Sequence, residues 1–492
     1  MSIKLIKKLL PVIFCVATIS ATAKEYNIID YGAKNDTTVL STDAINKAVR
    51  LCFNEGGGTV LIPAGIYKTG TITLMDNVEL QLAHGSTIFG STNPADFPRQ
   101  KQPKYRSQKD IGGWYSLIYA EGASNISITG SGTIDGQGKG QKGRPECKGG
   151  DKDGRTRNIL FISCKKIKVE GVTFRNSGIW NQHYLNCEDV FLLNQTVWNH
   201  CNRNNDALDL DGCRRVVVSG CVYDSSDDAI TLKSTGPAPC EDITITNCVV
   251  SSNCNAIKCG TESTGGFRNI NISNCTIKPS LAKEKSVGSW IGITGLSLEI
   301  VDGGVMEGVS VSNLDIEGTD CPIFLRLGNR ARKHMEGAPT PPQGIMRNII
   351  INNIVAYNTG NYASSITGIK GANIENVILS NIMFVNKGGV KKGEYKATLS
   401  DVEDNEKSYP QPTVWENLPC SGLFVRHVRN IQVNGVSFVS QKKDPRPVFL
   451  MDDVKQGHFI GITTSVNSKP EALISNIEDL KIDSDIKQKD AL

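Results

Sequence analysis

Two acidic segments lie close together near the middle of the chain. Asn204-Asn205-Asp206-Ala207-Leu208-Asp209-Leu210-Asp211 is followed by Asp224-Ser225-Ser226-Asp227-Asp228, with Glu262 further on. Alternate residues of a strand face the same way, so Asp209 and Asp211 share a face. Asp227 and Asp228 diverge in a strand, but a turn between them would aim both into one cleft. Crowded carboxylates raise the free energy unless they share protons, bind a cation or act on a substrate. Inverting glycoside hydrolysis uses such a set: a protonated carboxyl for the leaving oxygen and a carboxylate base for water, roughly 6.5–9.5 Å apart. Calcium is the rival occupant, since several oxygens on one face suit it, for catalysis or for stability alone.

The elements that must position these acids repeat. Cys187-Glu188-Asp189-Val190, Cys213-Arg214-Arg215-Val216 and Cys240-Glu241-Asp242-Ile243 stand in register, and Cys221, Cys248 and Cys275 recur every 27 residues. Like residues at one period fit a solenoid whose coils stack about 4.8 Å apart. The expected fold is all-β: a single-stranded right-handed parallel β-helix. Ser41 or Thr42 is placed to cap an amphipathic helix with Ile45, Ala48, Val49 and Cys52 as its apolar stripe. Such a helix would cover the open end of the first coil. Coils are expected from Thr59 onward. Units such as Asn269-Ile270-Asn271-Ile272 and Asn430-Ile431-Gln432-Val433 put asparagines at coil corners, a structural role. The chain from residue 24 to 492 reads as one β-helix domain, with loop insertions near 93–113, 138–157, 326–344 and 388–420. Irregular loops on a rigid solenoid build the walls of a groove.

The N-terminus reads as an export signal over residues 1–23. Lys4, Lys7 and Lys8 precede an apolar run from Leu9 to Ser20, and Ala21-Thr22-Ala23 supplies a cleavage site. The protein is therefore expected to be exported, periplasmic or secreted, with no later segment apolar enough to span a bilayer. Losing those three lysines takes the formal charge from +4 to +1. So near neutral a surface gives no electrostatic reason for nucleic acid as partner. Most cysteines sit in inward columns and read as small buried hydrophobes; Cys147 and Cys420 are less easily placed. Cys254 and Cys259 flank Asn255-Ala256-Ile257-Lys258 without zinc spacing, and no metal site is assigned.

Several motifs together resemble the polygalacturonase family of glycoside hydrolases, family 28, within the pectin-degrading β-helix superfamily. Tyr31-Gly32-Ala33-Lys34, Gly56-Gly57-Gly58-Thr59, Ile62-Pro63-Ala64-Gly65 and Gly132-Thr133-Ile134-Asp135-Gly136 carry the likeness early on. Asn204-Asn205-Asp206-Ala207-Leu208-Asp209 is similar to the family's Asn-Thr-Asp-Gly-x-Asp. Ser226-Asp227-Asp228-Ala229-Ile230-Thr231-Leu232-Lys233-Ser234 is similar to its Gly-Asp-Asp-Cys-x-Ala-x-Lys-Ser, and Gly260-Thr261-Glu262-Ser263 to its Gly-Ser-Glu. The resemblance implies inverting hydrolysis of a polysaccharide or oligosaccharide without metal or cofactor. It makes Asp227 the general acid, while Asp206 and Asp228 hold and activate the water. Lys233, Asp209, Glu262, His183, Lys258 and Arg326 are the candidate substrate-binding residues.

Two departures bear on the substrate. The family's Gly-His-Gly falls on Asn253-Cys254-Asn255, so Cys254, or Asn255 with a shift of one, replaces the histidine. Its Arg-Ile-Lys, which grips the galacturonate carboxylate, falls on Gly292-Ile293-Thr294 when the strand after Trp290 is aligned. A uronate left without its clamp would lose its carboxylate hydration and gain no partner. Either Arg326, Arg330, Arg332 or Arg426 replaces the clamp from a loop, or the sugar bound there is neutral. A polysaccharide lyase using calcium, and a non-catalytic carbohydrate-binding β-helix, are the alternatives.

Overall fold

The computed structural model describes residues 24–100, 115–141 and 154–491. The export signal, Cys147 and most of the 93–113 and 138–157 insertions lie outside the described residues. Apart from one α-helix and a few short 3-10 turns, the chain is strand and turn. Strand pairings are parallel and fall into three columns, so each coil contributes one strand to each face of a right-handed β-helix. One column runs upward from Glu25–Asn27 through Gly58–Ile62, Val78–Leu82 and Ser124–Gly130. A second begins Gly65–Thr69, Ser86–Gly90, Thr133–Asp135. The third matters most here. It stacks Arg157–Ile162, Gln182–Leu185, Leu208–Asp211, Ile230–Ser234, Asn255–Ser263, Thr294–Ile300 and Cys321–Leu327 in that order.

Period-two alternation explains the stacking. In the third column Leu208, Leu210, Ile230, Leu232, Ile257, Leu296 and Leu298 point inward and join one continuous core. Their neighbours Asp209, Asp211, Lys233, Lys258, Ser297 and Glu299 must then point outward, all on one face. The helix Thr42–Asn54 buries Ile45, Ala48, Val49 and Cys52 against the first coil. Ser41 occupies the N-cap without capping through its side chain. Its hydroxyl instead accepts from the Lys34 N–H at 3.0 Å, tying the helix to the preceding turn.

The corner asparagines form ladders. Asn313, Asn353 and Asn381 each donate to the asparagine one coil below, at 3.0, 3.2 and 3.3 Å. Their backbones lie at φ between 53° and 55°, where asparagine is favoured because its short amide bonds locally. The role expected of them holds. All the cysteines among the described residues are free thiols, and Cys221, Cys248 and Cys275 are buried in the core. Cys420 is a buried thiol beneath the 388–420 insertion. Protein denatured without reductant should therefore be alkylated at Cys221, Cys248 and Cys275; peptide masses showing them blocked would contradict the coil register.

The 388–420 insertion is no solvated excursion. Leu399, Val402, Trp415 and Leu418 pack with Phe324, Phe424 and Leu450, outward residues of the third column, in a separate apolar cluster. Trp415 lies edge-on to Phe424 with ring centroids 5.6 Å apart, and its indole N–H donates to the Glu403 carbonyl at 2.8 Å. That anchorage lays the insertion across the outward face of the sheet.

Candidate active site

The corners entering the third column carry the acids. The Asp206 carbonyl accepts from the Asn181 N–H at 2.9 Å and from the Asn199 amide at 3.0 Å. One coil on, the Asp228 carbonyl accepts from the Ala207 N–H at 3.0 Å and the Ser225 hydroxyl at 3.2 Å. Hydroxyls of Ser225 and Ser252 bond the Asp227 carbonyl at 2.8 and 2.6 Å. These bonds fix the turn that brings Asp227 and Asp228 beside Asp206. Asp227 retains partial exposure, whereas Asp206 and Asp228 are buried.

Two lysines stand among the carboxylates. The Lys233 ammonium lies 3.3 Å from Asp209, 3.7 Å from Asp206 and 3.9 Å from Glu262. It also sits 4.7 Å from the ring centre of Trp180, which fixes it from the other side. Lys258 lies 3.1 Å from Asp228 Oδ2 and 3.9 Å from Glu299, and its Nζ donates to the Tyr409 hydroxyl at 3.2 Å. Burial works against charge on both lysines, but the surrounding carboxylates outweigh it, and both hold their protons well above the usual range. The other oxygen of Asp228 accepts from the Asn255 amide at 2.5 Å.

The acids differ in their surroundings. Burial, then the Asp228 carboxylate, pushes Asp227 up to about 6. Burial, then the like charges of Asp209 and Asp227, holds Asp206 well above the ordinary range. Burial raises Asp209 to about 7 against the pull of Lys233, and raises Glu299 to about 7 against that of Lys258. A cleft with one partly exposed, proton-retaining carboxyl beside an amide- and ammonium-bonded carboxylate has the parts of a general acid and a base.

The structure thus brings Asp206, Asp209, Asp227, Asp228, Lys233, Glu262 and Lys258 together. His183 does not line the groove. It is fully buried, its Nε2 3.2 Å from Asp211 and its ring edge-on to Trp180, and burial lowers it to about 4, so it is neutral. Arg326, 3% exposed, faces the insertion rather than the cleft: it donates to the carbonyls of Gly368 and Asp404 and lies over Trp415. Arg426 likewise donates to the Val402 carbonyl, and Arg330 is paired with Asp302. Gly292 and Ile293 precede the strand Thr294–Ile300; the positions of that strand beside Lys258 are Ser297 and Glu299.

Glu299 and Tyr409 are the members that sequence reasoning missed. The alternation Leu296-Ser297-Leu298-Glu299 carried a signal for Glu299, but nothing local marks Tyr409, which reaches Lys258 from the insertion across 151 residues of chain. Among the described residues Asp227, Asp228 and Cys254 bring donor atoms within 4.8 Å of one another. Calcium takes about 6–8 oxygens, the set contains a sulfur, and the Lys258 ammonium already occupies the cation position beside Asp228.

Comparison with known proteins identifies the family and the fold. The profile of the family described as Glycosyl hydrolases family 28 matches residues 52–403. An exo-poly-alpha-D-galacturonosidase of Dickeya chrysanthemi is 30% identical over 260 residues, covering 44% of this chain and 43% of that protein. The chain thus spans less than half the length of this curated relative. Among solved structures, the exopolygalacturonase of Thermotoga maritima superposes with a TM-score of 0.60 at 22% identity, over 74% of this chain and 87% of that one. The family 28 exopolygalacturonase of Yersinia enterocolitica gives 0.58 at 18% identity, over 94% and 79%. These two establish the shared fold. With the family profile covering well over half of its residues, the chain belongs to the glycosyl hydrolases of family 28.

Proposed function

We propose that the protein is an exported hydrolase that cleaves O-glycosidic bonds of a pectin-type polysaccharide or a related oligosaccharide with inversion. Asp227 gives its proton to the leaving oxygen; Asp206 and Asp228 hold and activate the attacking water, with Asp228 as its base. The observation that carries this reading is the joint placement of Asp206, Asp227 and Asp228 in one cleft, with Asp227 raised to about 6. A carboxyl with that affinity still carries its proton in mildly acidic medium, as a general acid must.

The galacturonan acted on by the Dickeya relative, according to its name, is the first substrate to test. The cleft argues for more than that polymer. Its carboxylates outnumber its lysines, Arg326 and Arg426 are held by backbone carbonyls, and Arg330, beside Glu262 and Tyr409, is already paired with Asp302, so a uronate in the reacting position meets more like charge than free cation. A neutral sugar there, in a mixed pectic chain such as a rhamnogalacturonan, suits it better. The insertion over residues 388–420 sets Tyr409 on Lys258 beside the acids, and a wall there favours cleavage from a chain end.

A screen of galacturonans, rhamnogalacturonans and their oligosaccharides tests the reading. New reducing ends without the ultraviolet absorbance of an unsaturated product are expected, undiminished by chelator. Proton NMR of the first product should show the inverted anomer; retention would reject the proposed roles of the acids. Activity should fall as pH rises through about 6, where Asp227 loses its proton. An alkaline limb at pH 8 or above would remove Asp227 from the role of acid.

A further inference from the structure

Asp227 and Asp228 are adjacent, yet an acid and a base must hold opposite protonation states. We propose that Lys258 is the positioning residue that assigns those states, keeping Asp228 the carboxylate and leaving the proton to Asp227. This rests on the hydrolytic reading above and replaces the expectation that Lys258 binds substrate.

Geometry carries the assignment. Lys258 is 1% exposed, too covered to meet a sugar, and its ammonium stands 3.1 Å from Asp228 Oδ2. Asp228 Oδ1 takes the Asn255 amide at 2.5 Å, and Asn255 is itself oriented by the Thr294 hydroxyl at 2.6 Å. Both oxygens of Asp228 are therefore met by donors, an arrangement that favours the ionised form. Asp227 has no ammonium in direct contact among the described residues: its side chain accepts the Asp228 N–H at 3.0 Å, and Lys258 and Lys233 act on it only through space.

The far side of Lys258 is built to aim it. Glu299, also 1% exposed, lies 3.9 Å from the ammonium, and the Ser297 hydroxyl fixes its other oxygen at 2.6 Å. Gly260 makes the room: a Cβ there would come within 2.8 Å of Glu299 Cβ and 3.0 Å of its Oε2. Tyr409 closes the top, its hydroxyl 3.2 Å from Nζ. The charged and titratable groups that face Asp228 are the acids Asp206, Asp209, Asp227 and Glu299, the cations Lys233 and Lys258, Cys254 and Tyr409. Lys258 is the one cation among them in direct contact with Asp228.

The test is the pH profile of kcat/KM for the full chain on a substrate found in the product screen. Lys258→Met takes away the cation that meets Asp228 Oδ2 and so the contact that favours its ionised form. The acidic limb should move up by about 1–3 pH units, with roughly tenfold loss of rate per unit below the new limb. KM should stay within about threefold of the parent, because no sugar contact is lost. Lys258→Arg keeps the charge and should restore the limb to within about half a unit. Lys258→Gln, polar and of similar length, should behave like the methionine variant and serves if that one does not fold. A tenfold rise in KM with the acidic limb unmoved would overturn the inference and return Lys258 to substrate binding. A parent protein that hydrolyses no glycoside would instead sink the hydrolytic reading itself.

Discussion

Asp227→Asn should lower kcat by about 10³–10⁴-fold, the scale of a lost general acid. Asparagine keeps the shape and can still accept the Asp228 N–H, but it has no proton to give to the departing oxygen. Substrate affinity should therefore remain near that of the parent, which separates this effect from a damaged groove. The melting temperature carries a further sign. In the unfolded chain the carboxyl loses its proton near the ordinary value of 3.8, and in the native one at about 6. The native state thus binds the extra proton between those values, and stability falls as pH rises through that window. Asparagine removes that penalty, so at neutral pH the variant should melt no lower than the parent. Turnover near the parental level on the true substrate would exclude Asp227 as acid.

Asp206→Asn and Asp228→Asn should each cost about 10²–10⁴-fold in kcat, by failing to orient or deprotonate water. The double variant should be hardly worse than the worse single one, because residues acting on one water work as a unit. Single-turnover measurement across the set checks this. Full additivity would mean that the two carboxylates serve separate steps. Asp206→Asn carries the additional expectation of tolerated folding. Its carboxyl sits buried among like charges, so the neutral amide relieves repulsion while Lys233 keeps Asp209 and Glu262.

How far the sequence reached follows from what each residue obeys. The repeating cysteines and apolar pairs announced the solenoid, since stacked coils force like residues into columns, and Cys221, Cys248 and Cys275 lie in the core accordingly. The asparagine corners were legible because a left-handed backbone and an amide ladder both select that residue. Asp206, Asp209, Asp227, Asp228 and Lys233 come from neighbouring coils, so spacing along the chain nearly fixes their spacing in the fold. Contacts made by insertions obey no such period. Only the tertiary structure turned Arg326 and Arg426 toward insertion carbonyls and seated Trp415 on Phe424. It also buried His183 against Asp211 and brought Tyr409 onto Lys258. A repeat transmits its geometry through local alternation and one stacking distance, whereas an inserted loop is placed by packing against residues far away in the chain.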